Sequence, residues 1–133
     1  MRSIAREEVF KYLYSDLFNE ESKSFFEALL KNNKLDEGDR QFAKKLLETI
    51  KDNFDELMGS LSNLLQNYKI ERLYSLDKCA LLIGMAEIKY FNDIPTVVSI
   101  NEVINLVKVY STEKSIGFVN GVLAEYAKQQ GDK

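Results

Sequence analysis

The stretch CALLIGMA (79–86) carries no charge and lies inside a longer run, 76–90, with helical spacing. Apolar side chains recur at Leu76, Cys79, Ala80, Ile83 and Tyr90, while Leu81, Leu82 and Met85 cover the other sides, so no face is left for water. Such a helix has to be surrounded. The uncharged run is far below the ~20 residues that span a bilayer, and Lys78, Glu87 and Lys89 flank it closely. The wrapping expected is therefore other helices of the same chain. Ser75 is placed to cap this hub helix, and Asn92 and Asp93, followed by Pro95, to stop it.

Helical spacing continues outward in both directions. On the C-terminal side, Ile94, Pro95 and Thr96 are expected to open a sixth helix, with Thr96 able to accept an orphan N–H. Its core face reads Ile100, Val103, Ile104 and Val107, and its polar face Asn101, Asn105 and Lys108. Ser111 and Thr112 break it and cap a seventh, whose inward stripe is Ile116, Val119, Leu123, Tyr126 and Ala127, followed by a frayed tail. Gly117 and Gly121 in that helix each cost ~1 kcal/mol relative to alanine, so something is expected to approach closely: a packed helix, or a ligand or partner beside Phe118.

On the N-terminal side, Val9, Phe10, Leu13 and Leu17 mark a first helix over about 3–19, with Arg2, Arg6 and Lys11 interleaved with Glu7, Glu8 and Asp16 on a solvated face. A shorter second helix, about 22–32, turns Phe25, Phe26, Leu29 and Leu30 inward, and 32–39 is a polar loop whose Asp39 can cap the next helix. That third helix carries Phe42, Ala43, Leu46, Leu47 and Ile50. After a break near Asp52 and Asn53, a fourth carries Leu57, Leu61, Leu64, Leu65 and Tyr68. No strand alternation persists and no repeat or linker divides the chain. The fold expected is all-α, about seven helices within one domain, 1–133.

The 133 residues suffice for a core without staples. The single cysteine, Cys79, excludes a disulfide framework and suits a reducing compartment; with a charged N-terminal segment and no spanning stretch, a cytoplasmic address is expected. There is no histidine, so the usual general base, the common zinc sites and Cys–His nucleophiles are lacking. The acidic clusters Asp36, Glu37, Asp39 and Asp52, Asp55, Glu56 sit near helix starts, where the dipole accounts for them. The glycines form no phosphate-cradling loop. Neither a catalytic residue nor a metal or cofactor is expected. A net charge of −3 argues against a large basic surface for nucleic acid.

Four segments taken together, AREEVFKYLY (5–14), IERLYSLDKCALLIGMAEI (70–88), DIPTVVSINEVINLVKVYS (93–111) and FVNGVL (118–123), resemble the NusB family of bacterial antitermination factors in order and spacing. Tyr14, Arg72, Asp77, Glu87, Asn101, Glu102, Asn120 and Gly121 carry the likeness. The resemblance implies seven helices packed as two small bundles, roughly 1–67 and 68–133, in a non-enzymatic protein that pairs with the small-subunit ribosomal protein NusE. The pair would bind boxA RNA of nascent ribosomal RNA transcripts within the RNA polymerase antitermination complex, with a homodimer left open for the unpartnered chain. Carried over by position, Arg2, Arg6, Phe118 and Asn120 are the expected RNA contacts, and Tyr14, Asp77 and Lys78 the expected partner contacts.

The chain departs from the family pattern in three places. Its opening has fewer arginines, Leu82 stands where relatives often have arginine, and Gly117 where they often have lysine. Each change removes a potential phosphate contact, so weak RNA binding by the chain alone is expected, with the partner completing the site. Other readings keep the fold: a protein-only helical adaptor, or a stand-alone relative of the NusB-like domain fused to ribosomal RNA methyltransferases.

Overall fold

A computed structural model describes residues 1–19, 23–66, 70–131 and 133, without the side chains at 17–19, 23 and 25. The expected inward positions Leu17, Phe25 and Tyr68, the start of the second helix at Ser22 and the sub-bundle boundary near residue 67 lie outside the described residues. Among the described residues there are seven α-helices and no strand: α1 (Arg2–Asn19), α2 (Lys23–Leu29), α3 (Glu37–Asp52), α4 (Phe54–Leu65), α5 (Ser75–Tyr90), α6 (Thr96–Tyr110) and α7 (Glu113–Gln130), with a 3-10 turn at Ile70–Arg72 before α5. Their contacts group as two compact units, Met1–Glu48 and Thr49–Lys133.

In the second unit α5 is the hub that its apolar run implies. Every residue over 79–88 is buried, and α6 and α7 pack on α5 and on each other. Burying a side chain such as Ile83 or Leu81 stabilises the unit by ~1.5–3 kcal/mol each. The helix α4 packs on α5 and α7, so it belongs with the hub rather than with the N-terminal helices. The intimate approach is at Gly84: a Cβ there would lie 2.7 and 2.8 Å from the two Leu123 methyls of α7 and 3.3 Å from Val103 Cγ2 of α6. Gly117 and Gly121, by contrast, are exposed, with nothing within 4 Å of a Cβ. The tight helix packing that they suggested is not made among the described residues of this unit.

Polar pairing rotates α6 from its expected face. Ser99, Val103, Leu106 and Val107 are buried, whereas Ile100 and Ile104 are half-exposed. Ser99 goes inward because its hydroxyl donates to Glu87 Oε1 at 2.9 Å, and Glu87 on α5 is fully buried. Helix starts also differ in detail. Ser75 is the first residue of α5 rather than its cap, Tyr74 taking that place without a side-chain bond. Pro95 is likewise the cap of α6, its carbonyl accepting from the Val98 and Ser99 N–H groups, so Thr96 does not cap. Before α3, Asp36 and Asp39 cap reciprocally: the Asp39 N–H donates to Asp36 Oδ1 at 2.8 Å and the Asp36 N–H to Asp39 Oδ2 at 3.1 Å. Beyond α7, where a frayed tail was expected, the Lys133 ammonium donates to the carbonyls of Glu87, Phe91 and Ile94 around the end of α5.

The first unit has its own core, with Val9, Phe10, Phe26, Leu30 and Leu35 buried and Tyr12 edge-on to Phe26 at 5.2 Å between ring centres. Its α1 does not present the simple solvated face that its charges suggest. Arg6 and Glu8 are both 3 % exposed, and Glu8 accepts from Asn32 Nδ2 at 3.2 Å.

Candidate nucleic-acid interface

The corner between α6 and α7 is built from hydroxyls. Ser111 and Thr112 are extended, which ends α6 and turns the chain into α7, and the Ser115 N–H donates to Thr112 Oγ1 at 3.1 Å as the cap. The same hydroxyls converge on Asp77, in the first turn of α5. Ser111 Oγ donates to Asp77 Oδ1 at 2.6 Å and Ser115 Oγ to Asp77 Oδ2 at 2.8 Å. Each hydroxyl has one proton, so with Ser115 committed to Asp77 the 2.8 Å contact between Thr112 Oγ1 and Ser115 Oγ is donated by Thr112. One carboxylate thus ties the start of the hub helix to the corner. Asp77 is 3 % exposed and Ser115 2 %.

This network forms one side of a cleft of about 230 Å³ lined by Tyr74, Asp77, Thr112, Lys114, Ser115 and Phe118. Phe118 is half-buried and lies one turn beyond Ser115, Lys114 is exposed, and Tyr74 is 60 % exposed on the segment entering α5. A larger depression of about 630 Å³, lined by Asn92, Asp93, Lys128 and Lys133 among others, contains none of the expected site residues.

The expected RNA contacts are therefore distributed unevenly. Phe118 lies in the cleft; Asn120 is exposed on α7 but does not line it. Arg2 and Arg6 stand with their guanidinium carbons 4.5 and 5.1 Å from the centre of the Phe42 ring, as cation–π contacts inside the first unit. Arg2 is exposed, whereas Arg6 is buried, with its guanidinium against Phe42. Of the expected partner contacts, Tyr14 is 37 % exposed and Lys78 half-exposed. Asp77, the third, is buried, and its two oxygens accept from Ser111 and Ser115. Tyr74 and Lys114 escaped notice in the sequence because an aromatic beside a turn and a lysine in a first turn carry no periodic signal. Only the fold brings them to Phe118.

The Cys79 thiol is buried, and burial pushes its pKa up to about 12. On the outer side of α5, Lys89 and the Tyr90 hydroxyl both donate to Glu56 of α4, Tyr90 at 2.7 Å. Hydrogen bonds from Lys89 and then Tyr90 hold the Glu56 carboxyl below its ordinary range, and Glu56 holds Lys89 above its own. Among the described residues no group of His, Cys, Asp and Glu is arranged to hold a metal ion, and no helix is long and apolar enough to cross a membrane.

Comparison with known proteins agrees with this architecture. The transcription antitermination protein NusB of Listeria monocytogenes serotype 4a is 38% identical over 128 residues, covering 96% of this chain and 97% of that protein. A solved structure of T. maritima NusB superposes with a TM-score of 0.90 at 30% identity, over 97% of this chain and 92% of the other. A structure of the antitermination factors NusB and NusE in complex with dsRNA superposes at 0.86 with 27% identity, over 96% of each chain. Residues 2–128 match the NusB family, and the chain belongs to that family.

Proposed function

We propose that this chain is a transcription antitermination factor that pairs with NusE and, as that pair, binds boxA RNA of nascent ribosomal RNA transcripts, acting by binding and without catalysis. The observation that carries the reading is the cleft at the α6–α7 corner: an aromatic ring, Phe118, beside an exposed lysine, Lys114, on a rigid hydroxyl–carboxylate scaffold. A ring offers stacking to an unpaired base and a lysine offers charge to its phosphate, the two elements of single-strand recognition. The likeness to a NusB solved with NusE and dsRNA supports the same partners.

Within this reading Phe118 stacks, Asn120 and Arg2 supply polar and phosphate contacts, and Tyr14 and Lys78 meet NusE. Asp77 and Arg6 act from inside, Asp77 by holding the corner and Arg6 by packing α1 on Phe42. The test is retention of labelled boxA RNA by purified chain, by NusE and by the mixture. Retention by the mixture well beyond either component is expected. Equal retention with and without this chain would remove the proposal, and NusE binding without any RNA retention would leave a protein-only adaptor.

A further inference from the structure

Among the described residues of the second unit Tyr74 is the most exposed aromatic side chain, at 60 %, and it is not stranded on open surface: it lines the same cleft as Phe118. Leaving so much aromatic surface in water forgoes the burial that tyrosine usually finds, unless a ligand covers it. The cleft, about 230 Å³, is smaller than the roughly 300–1,000 Å³ of pockets for drug-sized ligands, so it suits one flat ring system and not a folded peptide. Its polar groups divide by position. Asp77, Thr112 and Ser115 spend their hydrogen bonds on one another, which leaves the exposed Lys114 ammonium as the cation of the lining. That combination is complementary to a nucleotide whose base enters between rings while its phosphate stays outside.

We propose that Tyr74 and Phe118 form the two aromatic walls of a slot for one unpaired base of RNA, with Lys114 on the adjoining phosphate. This rests on the RNA-binding reading above and adds to it a second stacking residue and a phosphate contact. The Asp77–Ser111–Ser115 clamp serves as the positioning element: it fixes the start of α5, next to Tyr74, against the start of α7, which carries Phe118, so both walls stand in place before RNA arrives.

The experiment uses the chain with NusE and boxA RNAs carrying 2-aminopurine at one position at a time, whose fluorescence falls when the base stacks. One position is expected to be quenched in the wild-type complex and to brighten in both Tyr74→Ala and Phe118→Ala. Tyr74→Ala is expected to weaken RNA binding roughly 5- to 150-fold at an unchanged salt slope, as loss of one stacking partner does, and Tyr74→Phe to bind within about twofold of wild type. Lys114→Ala is expected to make the salt slope shallower by about 0.7, as loss of one phosphate contact on a single strand does. A Tyr74→Ala complex that keeps wild-type affinity and quenching while Phe118→Ala loses both would overturn the slot and leave the RNA reading intact. Weakened NusE binding by Tyr74→Ala without RNA would also overturn it, marking Tyr74 as a protein contact. Failure of the wild-type complex to bind any of these RNAs would overturn both.

Discussion

Replacing Asp77 by alanine tests whether the α6–α7 corner is held as described. The carboxylate accepts two hydroxyl protons, at 2.6 Å from Ser111 and 2.8 Å from Ser115, and bonds to a charged group contribute ~1.5–3 kcal/mol each. The two losses are unequal. Ser111 is half-exposed and can turn to water, whereas Ser115 is 2 % exposed and keeps only its neighbours Thr112 and Ser111. One bond is therefore lost in full and the other in part, and relief of burying the carboxylate returns some of the cost, which gives about 2–4 kcal/mol. Urea unfolding followed by circular dichroism reads this as a lower midpoint at unchanged slope. In a chain of this size the melting temperature falls roughly 3–5 °C per kcal/mol. Asp77→Asn keeps one acceptor oxygen and is expected to lose about half as much. Ser115→Ala on the Asp77→Ala background is expected to cost less than on wild type, because the two residues share one interaction. A cost for Asp77→Ala below about 0.5 kcal/mol, or strict additivity with Ser115→Ala, would refute the clamp.

Other perturbations draw on the same geometry. Gly84→Ala is expected to destabilise the chain by ~1–3 kcal/mol in urea unfolding, because its methyl group meets Leu123 inside the core, whereas Gly117→Ala and Gly121→Ala are expected to stabilise it by up to ~1 kcal/mol each. Cys79, its thiol pushed up to about 12 by burial, is expected to resist iodoacetamide at pH 8 in the native chain and to react at the rate of unfolding; rapid native alkylation would contradict its burial. The lowered Glu56 carboxyl contributes stability that is present above its unfolded pKa and lost as pH falls through the folded value. Glu56→Gln is therefore expected to flatten the acid side of the stability profile, at and below the ordinary glutamate range, and an unchanged profile would show that the pair is immaterial.

Apolar periodicity was enough to find seven helices and the hub among them, because 3.6-residue spacing is a local property of the chain. Burial of polar side chains was not legible, for a physical reason. Whether Arg6, Glu8, Asp77, Glu87 or Ser99 goes inside depends on a partner far away in sequence: Phe42, Asn32, Ser115 or, for Glu87 and Ser99, one another. Each reads locally as an ordinary surface residue. The glycines failed in the same way, since Gly84 looks like one small residue in an apolar run until Leu123 is placed against it. At the candidate interface the motif pointed to Phe118, but Tyr74 and Lys114 join it only through the turn before α5 and the corner before α7.

Charge decides how much of the RNA affinity this chain can supply. Its net charge is −3, and Arg6 is buried on Phe42, so the N-terminal helix offers less to a phosphate backbone than its sequence suggests. If Arg2 and Lys114 are the two phosphate contacts, as proposed above, the logarithm of affinity for single-stranded RNA is expected to fall against the logarithm of salt with a slope of about −1.4 for the chain alone. The proposed stacking on Phe118 and Tyr74 is expected to change the intercept and leave that slope alone. NusE is then expected to steepen the slope, adding cations of its own, while the quenched position of a 2-aminopurine series stays the same. The measurement is a salt titration of boxA binding by the chain and by the pair. A slope of about −4 or steeper for the chain alone would show a basic surface that these residues do not account for, and an identical slope for the pair would mean that NusE adds no phosphate contact.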